Sequence, residues 1–243
     1  MAGTAVLGRL TWLAATVAAA REETPRVRTL ELDVEGWAAH RAGQHLDVRL
    51  TAEDGYQAQR SYSIASAPGD PLAITIERLE EGEVSPYLVD DVQDGDVFEV
   101  RGPIGGYFVW DGDEPGPVLL VAGGSGVVPL MAMARHRARV GAEAPMRLVY
   151  SSRTWEDVIY RDELETLGID VVHTLTRSQP QGWNGYSRRI DDELLREVAF
   201  PAAEEPRVYV CGSTRFVDAA ADGLVRLGYD PRWIRTERFG ATG

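Results

Sequence analysis

Two short segments of the chain carry residue types that suit nucleotide chemistry. Arg60-Ser61-Tyr62-Ser63 places a cation, an aromatic ring and hydroxyl groups on a predicted β-strand. Residues 123–129 (GGSGVVP) lie between an apolar run and a helical pattern, which predicts a phosphate-binding turn. The first segment suits a flavin nucleotide and the second a pyridine nucleotide. A chain with both sites can pass a hydride from one cofactor to the other.

The first segment has the groups that a flavin requires. An isoalloxazine needs an apolar face, a hydrogen-bond partner at N5 and positive charge near its phosphates. On a strand, Arg60 and Tyr62 share one face and Ser63 points to the other. Gly82 and Ser85 follow at a predicted helix start, where backbone N–H groups suit a pyrophosphate. Taken alone, Arg60 to Ser63 also fit an ordinary half-exposed strand.

The second segment predicts a tight turn at Gly124, Ser125 and Gly126, whose backbone can approach a pyrophosphate. Pro129 occupies the third glycine position of a dinucleotide fingerprint, so the motif alone is a weak signal. The predicted strand before it and the helix after it supply the context that such a turn requires.

The end of the next predicted strand indicates which nucleotide binds. NAD-selective folds usually place Asp or Glu there, to accept a hydrogen bond from the ribose 2′-OH. Here the strand ends in Ser152 and Arg153, and Arg177 follows the strand after it. Hydroxyl and guanidinium groups favour a 2′-phosphate, so we expect NADP(H) rather than NAD(H). The alternative is that Arg153 lies in solvent and Glu156 or Asp157 contacts the ribose.

Composition excludes several classes of protein. The 243 residues carry a formal net charge of −13, which argues against nucleic-acid binding. Cys211 is the single cysteine, which excludes a disulfide framework and an iron–sulfur cluster held by four thiolates of this chain. No histidine has metal-site spacing, so we predict no metal site and expect all four to be structural or solvent-facing. They are His40, His45, His136 and His173.

The N-terminal segment has two interpretations. Residues 10–20 follow Arg9 and resemble a signal peptide in composition, but they also fit a first β-strand of small residues, which we favour. No run reaches the roughly 18–20 apolar residues of a membrane span. We therefore expect a cytoplasmic protein that does not contact a membrane.

Periodicity divides the chain into two halves. The first half has turn signals between short alternating segments, at 27–34, 46–50, 72–79, 97–100 and 107–110, and one helix at 85–92 with Ser85 as its N-cap. About six short strands predict a small antiparallel barrel. Residues 111–117 (DGDEPGP) form a polar linker.

The second half alternates strands with helices. Strands are predicted at 118–122, 147–151, 170–175 and 207–211, and helical segments up to 140 and near 162–167, 190–198 and 217–227. This alternation predicts a parallel sheet with right-handed crossovers. The predicted fold class is α/β with two domains: an antiparallel six-stranded β-barrel that binds flavin (1–112) and a Rossmann-like nucleotide-binding domain (113–243).

These motifs, in this order, resemble the ferredoxin–NADP reductase-like family of flavoproteins over nearly the whole chain. The matches are Arg60, Tyr62 and Ser63 to its Arg-x-Tyr-Ser motif, Gly82 and Ser85 to its Gly-x-x-Ser element, Gly102, Pro103 and Gly105 to its Gly-Pro-x-Gly turn, and Cys211 and Gly212 to its Cys-Gly strand end. Ser125 and Ser213 depart from the more usual Thr and Pro. Glu237 and Phe239 resemble the Glu and aromatic residue that close the plant-type members, although residues 240–243 continue past them.

The resemblance implies roles in hydride transfer for four residues. Ser63 would hydrogen-bond the flavin N5, and Cys211 would pack beside the nicotinamide. Glu237 would link Ser63 to solvent, and Phe239 would cover the flavin ring until the nicotinamide displaces it. The residues predicted to bind FAD and NADP(H) are Arg60, Ser61, Tyr62, Ser63, Arg78, Gly82, Val84, Ser85, Gly123, Gly124, Ser125, Gly126, Ser152, Arg153, Arg177, Cys211 and Gly212.

The resemblance also implies an activity and a partner. The protein would be an NAD(P)H-dependent flavoenzyme of the ferredoxin reductase type, acting as a monomer. It would pass electrons singly to a separate ferredoxin or oxygenase component, because no ferredoxin domain is fused to it. Arg232, Arg235 and Arg238 form a candidate docking patch for an acidic partner. The alternatives are a flavin reductase that releases its product, and a nucleotide-binding relay or sensing subunit without turnover.

FAD is expected rather than FMN because Tyr107 and Phe108 offer aromatic surface for an adenosine.

Overall fold

The computed structural model describes residues 10–239, and the first half of the chain forms a six-stranded antiparallel sheet. Its strands are β1 (Leu13–Thr24), β2 (Val27–Asp33), β3 (His45–Thr51), β4 (Gln57–Ser63), β5 (Leu72–Glu77) and β6 (Val97–Ile104). They follow the order β4-β3-β6-β1-β2-β5, and an isolated bridge between Ile64 and Ile74 closes the sheet. Alternate residues, including Leu30, Val48 and Val100, fill the interior. The predicted six-stranded barrel is confirmed.

The second half forms a five-stranded parallel sheet in the order β11-β10-β7-β8-β9. Its strands are β7 (Val118–Gly123), β8 (Met146–Ser152), β9 (Asp170–Leu175), β10 (Arg207–Ser213) and β11 (Ile234–Phe239), and its helices are α1 (Val127–Val140), α2 (Arg161–Leu164), α3 (Asp192–Val198) and α4 (Thr214–Arg226). Leu120 of β7 joins one apolar core and Leu119 joins another. Helices therefore cover both faces, which explains why β7 is apolar throughout.

Two expectations about local structure in the barrel were wrong. Residues 107–110 are not a strand, because only Trp110 forms an isolated bridge, to Ala42. The predicted helix at 85–92 is present over residues 85–91 and is π-helical over Tyr87–Asp91, but Ser85 does not cap it. Ser85 Oγ instead accepts a hydrogen bond from the Leu79 backbone N–H at 3.1 Å. That bond closes the 79–85 loop upon itself.

Strand boundaries also differ at the two ends of the described chain. The first strand extends past the predicted 10–20 segment to Thr24, since β1 pairs with both β2 and β6. Strand β11 was not predicted, because its sequence IRTERF is largely polar. The polar sequence fits its position at the sheet edge, where it pairs with β10 alone. No helix within residues 10–239 is long and apolar enough to cross a membrane.

Arg135 of α1 joins the parallel-sheet half to the barrel. Its guanidinium donates to the Ala65 carbonyl at 2.6 Å and to both carboxylate oxygens of Glu163 at 2.6 and 2.7 Å. It also lies over the Tyr160 ring, 4.5 Å from the centroid. The Tyr160 hydroxyl in turn donates to Thr75 Oγ1 in the barrel. A largely buried network therefore spans the seam between the two halves.

We expect Arg135→Leu to destabilise the protein by about 3 kcal/mol, because Glu163 and the Ala65 carbonyl lose their partner. Denaturant unfolding of wild type and variant measures the change. Arg139→Leu is the matched control: Arg139 lies on the same helix and pairs with Asp70 in an exposed ion pair worth about 1 kcal/mol or less. Equal losses for the two variants would show that the buried network adds nothing.

Candidate active site

A small cavity of about 110 Å³ lies at the seam, between β3 and β4 of the barrel and the end of β11. Its lining residues are His45, Ser61, Ser63, Glu237, Arg238 and Phe239. Three of the four residues to which the resemblance assigned catalytic roles, Ser63, Glu237 and Phe239, therefore meet at one place. Cys211 is the strand neighbour of Glu237 in the β10–β11 pairing.

Strand pairing explains how the barrel presents its side of the cavity. In the β3–β4 register, His45 lies opposite Ser63 and Asp47 lies opposite Ser61. These four residues share one face of the sheet. Tyr62 lies on the opposite face, as the alternation predicted, and there packs against the barrel core.

Asp47 anchors the serine side of the cavity. Ser61 Oγ donates to Asp47 Oδ1 at 2.6 Å, and Arg101 donates to Asp47 Oδ2 at the same distance. The Asp47 side chain is buried and the Arg101 side chain is partly buried. The Asp47 carboxylate, held by Arg101, therefore orients the Ser61 hydroxyl.

Two buried polar atoms of the cavity have no hydrogen-bond partner among the described residues: Ser63 Oγ and Glu237 Oε2. Leaving such atoms unpaired costs about 1–3 kcal/mol each, so native sites generally supply a partner. The polar edge of a flavin ring carries both donors and acceptors. The residues present therefore fit the cofactor that the motifs predict.

Burial shifts the pKa values of the titratable groups in and beside the cavity. Removal from water raises the pKa of Glu237 to about 7. Burial lowers the pKa of His45, and the nearby Asp47 carboxylate opposes that shift. The pKa of the Cys211 thiol is raised well above its usual value, first by burial and then by Glu237. Cys211 is therefore a neutral packing group rather than a thiolate nucleophile.

Glu237 should make stability pH-dependent in protein stripped of flavin. An unfolded Glu loses its proton near pH 4.3, whereas the folded chain keeps it to about pH 7, so stability falls as pH rises between these values. We expect Glu237→Gln to be about 2 kcal/mol more stable than wild type at pH 8 and nearly equal near pH 4. Thermal unfolding at the two pH values measures this. Glu143→Gln, at an exposed loop position, should follow wild type; a parallel shift in both variants would contradict the account.

The predicted phosphate turn joins β7 to α1 through a single 3₁₀ turn, Gly124–Gly126. Gly126 packs so closely against β10 that a Cβ there would lie 2.2 Å from the Cys211 carbonyl oxygen. Gly124 is exposed, has φ +56°, and has open space where a Cβ would point. The turn therefore offers bare backbone to a ligand at the carboxyl edge of the sheet.

Ser152, Arg153 and Arg177 meet at the carboxyl ends of β8 and β9. The Arg177 N–H donates to the Arg153 carbonyl at 2.9 Å. Both guanidinium groups are exposed, and within residues 10–239 neither forms an ion pair or a side-chain hydrogen bond. Ser152 Oγ is buried and unpartnered in the same part of the chain. Asp157, a candidate ribose ligand, instead accepts hydrogen bonds from Thr154.

The other predicted cofactor residues surround the 79–85 loop and do not line the cavity. Arg60 forms an exposed pair with Glu83 at 3.4 Å. Arg78 donates to Asp90 at 2.7 Å and to Glu80 at 2.9 Å. Val84 is buried in the barrel core. These arginines are therefore positively charged groups at the loop, held by ion pairs that solvent exposure keeps weak.

One expectation about a side chain near the cavity was wrong, and one cavity-lining residue had not been singled out. His45, expected to be structural or solvent-facing, is partly exposed and lines the cavity, where its Nδ1 lies 3.9 Å from Glu237 Oε1. Its cross-strand position opposite Ser63 depends on a register that sequence does not reveal. Arg235 does not belong to an outward patch, because it donates to the Val109 carbonyl at 2.6 Å.

The other two arginines of that patch are exposed but paired. Arg232 pairs with Asp230 at 2.6 Å, and Arg238 pairs with Asp218 at 2.9 Å.

The fold and the site together define a class: a β-barrel and a parallel nucleotide-binding sheet that meet at a polar cavity. Comparisons with known proteins agree. Residues 14–109 match the oxidoreductase FAD-binding domain and residues 120–222 match the oxidoreductase NAD-binding domain. Ferredoxin–NADP reductase B of Sorangium cellulosum is 38% identical over 93% of this chain and 96% of its own.

A curated reductase subunit and a solved structure are also similar to this chain, the latter in fold. The glycine betaine monooxygenase reductase subunit of Chromohalobacter salexigens is 32% identical over 82% of this chain, which covers 56% of that subunit. The solved FAD/NAD-binding domain of a Vibrio cholerae nitric oxide dioxygenase has a TM-score of 0.84 at 22% identity, covering 94% of this chain and 98% of its own. The chain belongs to the ferredoxin–NADP reductase-like family. It is an oxidoreductase with an FAD-binding and an NAD-binding domain.

Proposed function

We propose that the protein takes a hydride from NADPH onto FAD bound at the seam cavity and delivers the electrons singly to a separate protein. One observation carries the proposal. Ser63 and Glu237 line the same cavity, and their buried atoms Ser63 Oγ and Glu237 Oε2 have no hydrogen-bond partner among the described residues. Residues 1–112 would hold the flavin and residues 113–243 the nucleotide. The matched ranges 14–109 and 120–222 support a boundary between them.

The barrel residues hold and orient the cofactor. Ser63 Oγ would hydrogen-bond the flavin N5, and Asp47 holds the nearby Ser61 hydroxyl. Arg60 and Arg78 leave their exposed ion pairs to contact the pyrophosphate, and Gly82, Val84 and Ser85 present backbone to it. A bound flavin accepts two electrons as a hydride and can give them up one at a time.

The parallel-sheet residues bring the nucleotide to the same cavity. Gly123, Gly124, Ser125 and Gly126 cradle its pyrophosphate at the start of α1, with Gly212 alongside. Cys211, neutral and buried, packs beside the nicotinamide. Phe239 lies at the cavity and covers it until the nicotinamide enters. Orientation at close range supplies much of the acceleration of such a transfer.

The 2′-phosphate of NADPH is proposed to bind Ser152, Arg153 and Arg177. We expect the double variant Arg153→Ala/Arg177→Ala to lower kcat/KM for NADPH about 100-fold, because two charge-assisted contacts are lost. The value for NADH should change less than about threefold. Dye reduction with each nucleotide measures both values. Arg189→Ala, at another exposed arginine of the same domain, is the matched control. Equal losses with both nucleotides would contradict the proposed preference.

The proposed electron acceptor is a ferredoxin or an oxygenase component. One relative named above is a ferredoxin–NADP reductase and another is the reductase subunit of a monooxygenase. We further propose that the protein acts as a monomer in the cytoplasm. Gel filtration tests the first point, and elution as a dimer would overturn it. Fractionation of cells tests the second.

A further inference from the structure

We propose that Tyr160 is a positioning residue, whose hydrogen bond to Thr75 sets the approach of the nicotinamide to the flavin. The inference rests on the function proposed above and deepens it. Tyr160 follows β8 in the parallel-sheet half, and Thr75 lies on β5 of the barrel. The Tyr160 hydroxyl donates to Thr75 Oγ1 at 2.5 Å, and both residues are buried. The contact therefore joins the two halves that would hold the two cofactors.

This bond is one link in a directed chain of hydroxyl groups. Thr29 Oγ1 donates to Glu23 Oε1 at 2.7 Å, because a carboxylate only accepts. The Thr29 hydroxyl has a single proton, so the 2.7 Å bond between Thr29 and Thr75 is donated by Thr75. Burial raises the pKa of Tyr160 to about 12, so its hydroxyl stays a donor near neutral pH. The chain therefore has one arrangement, which holds the Tyr160 side chain in one place.

The backbone of Tyr160 is also held in an uncommon conformation. Its φ is +59°, in the left-handed region that bulky residues rarely adopt. Such conformations persist where the surrounding structure imposes them, and they cluster at functional sites. Here the neighbouring Ile159 N–H donates to the buried Tyr150 hydroxyl at 3.2 Å, which ties the segment to β8. The segment is thus fixed to the parallel sheet, and the Tyr160 hydroxyl carries that position across to the barrel.

The contact lies close in the chain to both proposed cofactor sites. On the barrel side, Thr75 follows Ile74, which forms an isolated bridge to Ile64. Ile64 in turn follows Ser63, the proposed partner of the flavin N5. On the other side, the segment tied to β8 follows Ser152, a proposed ligand of the 2′-phosphate. A shift at this contact would therefore move the nucleotide site relative to the flavin site.

A second hydrogen bond across the seam defines how the halves would move. The hydroxyl of Tyr209, on β10, donates to the Val109 carbonyl at 2.9 Å. Strands β10 and β8 flank β7, whose end forms the phosphate turn. The two tyrosines therefore hold the parallel sheet on either side of that turn. Without the Tyr160 bond the sheet would be free to pivot about Tyr209, and the nicotinamide would lose its aligned approach.

Hydride transfer moves two electrons and one proton together from the nicotinamide to the flavin, so its rate depends steeply on distance and alignment. Tyr160→Phe removes the hydroxyl but keeps the ring that Arg135 covers. We expect it to lower the limiting rate of FAD reduction by NADPH about tenfold or more. The NADPH concentration that gives half of that rate should change less than about threefold, because no proposed nucleotide ligand is removed. Anaerobic stopped-flow absorbance of FAD-loaded protein measures both values.

Variants of Thr75 separate positioning from stability. Thr75→Val removes the acceptor and should slow reduction as Tyr160→Phe does, whereas Thr75→Ser keeps the hydroxyl and should be reduced at the wild-type rate. The double variant Tyr160→Phe/Thr75→Val replaces both partners of the bond by apolar groups of similar shape. It should therefore melt within about 3 °C of wild type and still be reduced slowly.

Tyr229→Phe is the matched control. Tyr229 is a buried tyrosine of the parallel-sheet half, and its hydroxyl donates to the Phe200 carbonyl without crossing the seam. This variant should be reduced at the wild-type rate.

Three results would overturn the inference and leave the proposed function intact. They are a wild-type rate in Tyr160→Phe and in the double variant, equal slowing in Tyr229→Phe, and loss of FAD from Tyr160→Phe. A raised NADPH requirement with an unchanged limiting rate would make Tyr160 part of the nucleotide site and would also overturn it. Wild type that NADPH does not reduce would overturn the proposed function itself.

Discussion

Replacing Ser63 by alanine is expected to slow reduction of the bound flavin by NADPH about 100-fold while FAD stays bound. Ser63 Oγ is buried, unpartnered among the described residues and held in place by the β3–β4 pairing. If Ser63 contacts N5 as proposed, it does so without reorganising, and removing one preorganised donor typically costs about 10²–10³ in rate. We expect FAD to be retained because its phosphates are proposed to bind elsewhere, at the 79–85 loop.

Anaerobic stopped-flow absorbance measures the Ser63→Ala reduction rate, and FAD content after gel filtration measures retention. Ser187→Ala, at an exposed serine of the other domain, is the matched control and should behave as wild type. An unchanged reduction rate would remove Ser63 from the mechanism. If the variant loses FAD but the molecules that still hold it are reduced at the wild-type rate, Ser63 serves FAD binding rather than hydride transfer.

Gly126→Val is expected to abolish nucleotide binding and to destabilise the protein by about 3 kcal/mol or more. The added Cβ would lie 2.2 Å from the Cys211 carbonyl oxygen and 2.7 Å from the Gly212 backbone nitrogen. Neither backbone atom can move aside without disturbing β10, the strand next to Glu237. We therefore expect the turn, Cys211 of β10 and its strand neighbour Glu237 to be displaced together.

Denaturant unfolding and NADPH titration measure the two effects of Gly126→Val. Gly106→Val is the control, because Gly106 has open space where a Cβ would point and no left-handed φ. That substitution should change the free energy of unfolding by about 0.5 kcal/mol or less. Wild-type NADPH affinity in Gly126→Val would contradict the close packing of the turn on β10.

The local patterns of the sequence were sufficient to predict the barrel, the parallel sheet and the turn between β7 and α1. Apolar residues alternate over β2 because one face of that strand is buried. The apolar run of β7 is unbroken because both of its faces are buried, and both patterns can be seen in the sequence. Strand β11 was missed because an edge strand tolerates polar residues on both faces. The apolar residues of the 107–110 segment suggested a strand. They are apolar because they pack at the seam between the two halves, not because they pair in a sheet. Phe108, for example, meets Tyr209 edge to face at 5.5 Å.

The composition of the cavity was only partly predictable. Ser63, Glu237 and Phe239 could be assigned because each belongs to a recognisable motif. The place of His45 in the cavity could not be predicted, since it depends on strand register and on the approach of Glu237, 192 positions further along the chain. The position of Arg235 was mispredicted because its contact is also distant in sequence. An arginine in a basic series suggests an exposed surface, but Arg235 donates to the Val109 carbonyl.

The most direct measurement is the visible absorbance of purified protein during anaerobic titration with NADPH and, separately, with NADH. A yellow preparation is predicted, whose flavin bands bleach at stoichiometric NADPH and only at higher concentrations of NADH. A colourless preparation that added FAD does not turn yellow, or a yellow one that neither nucleotide bleaches, would contradict hydride transfer at the seam.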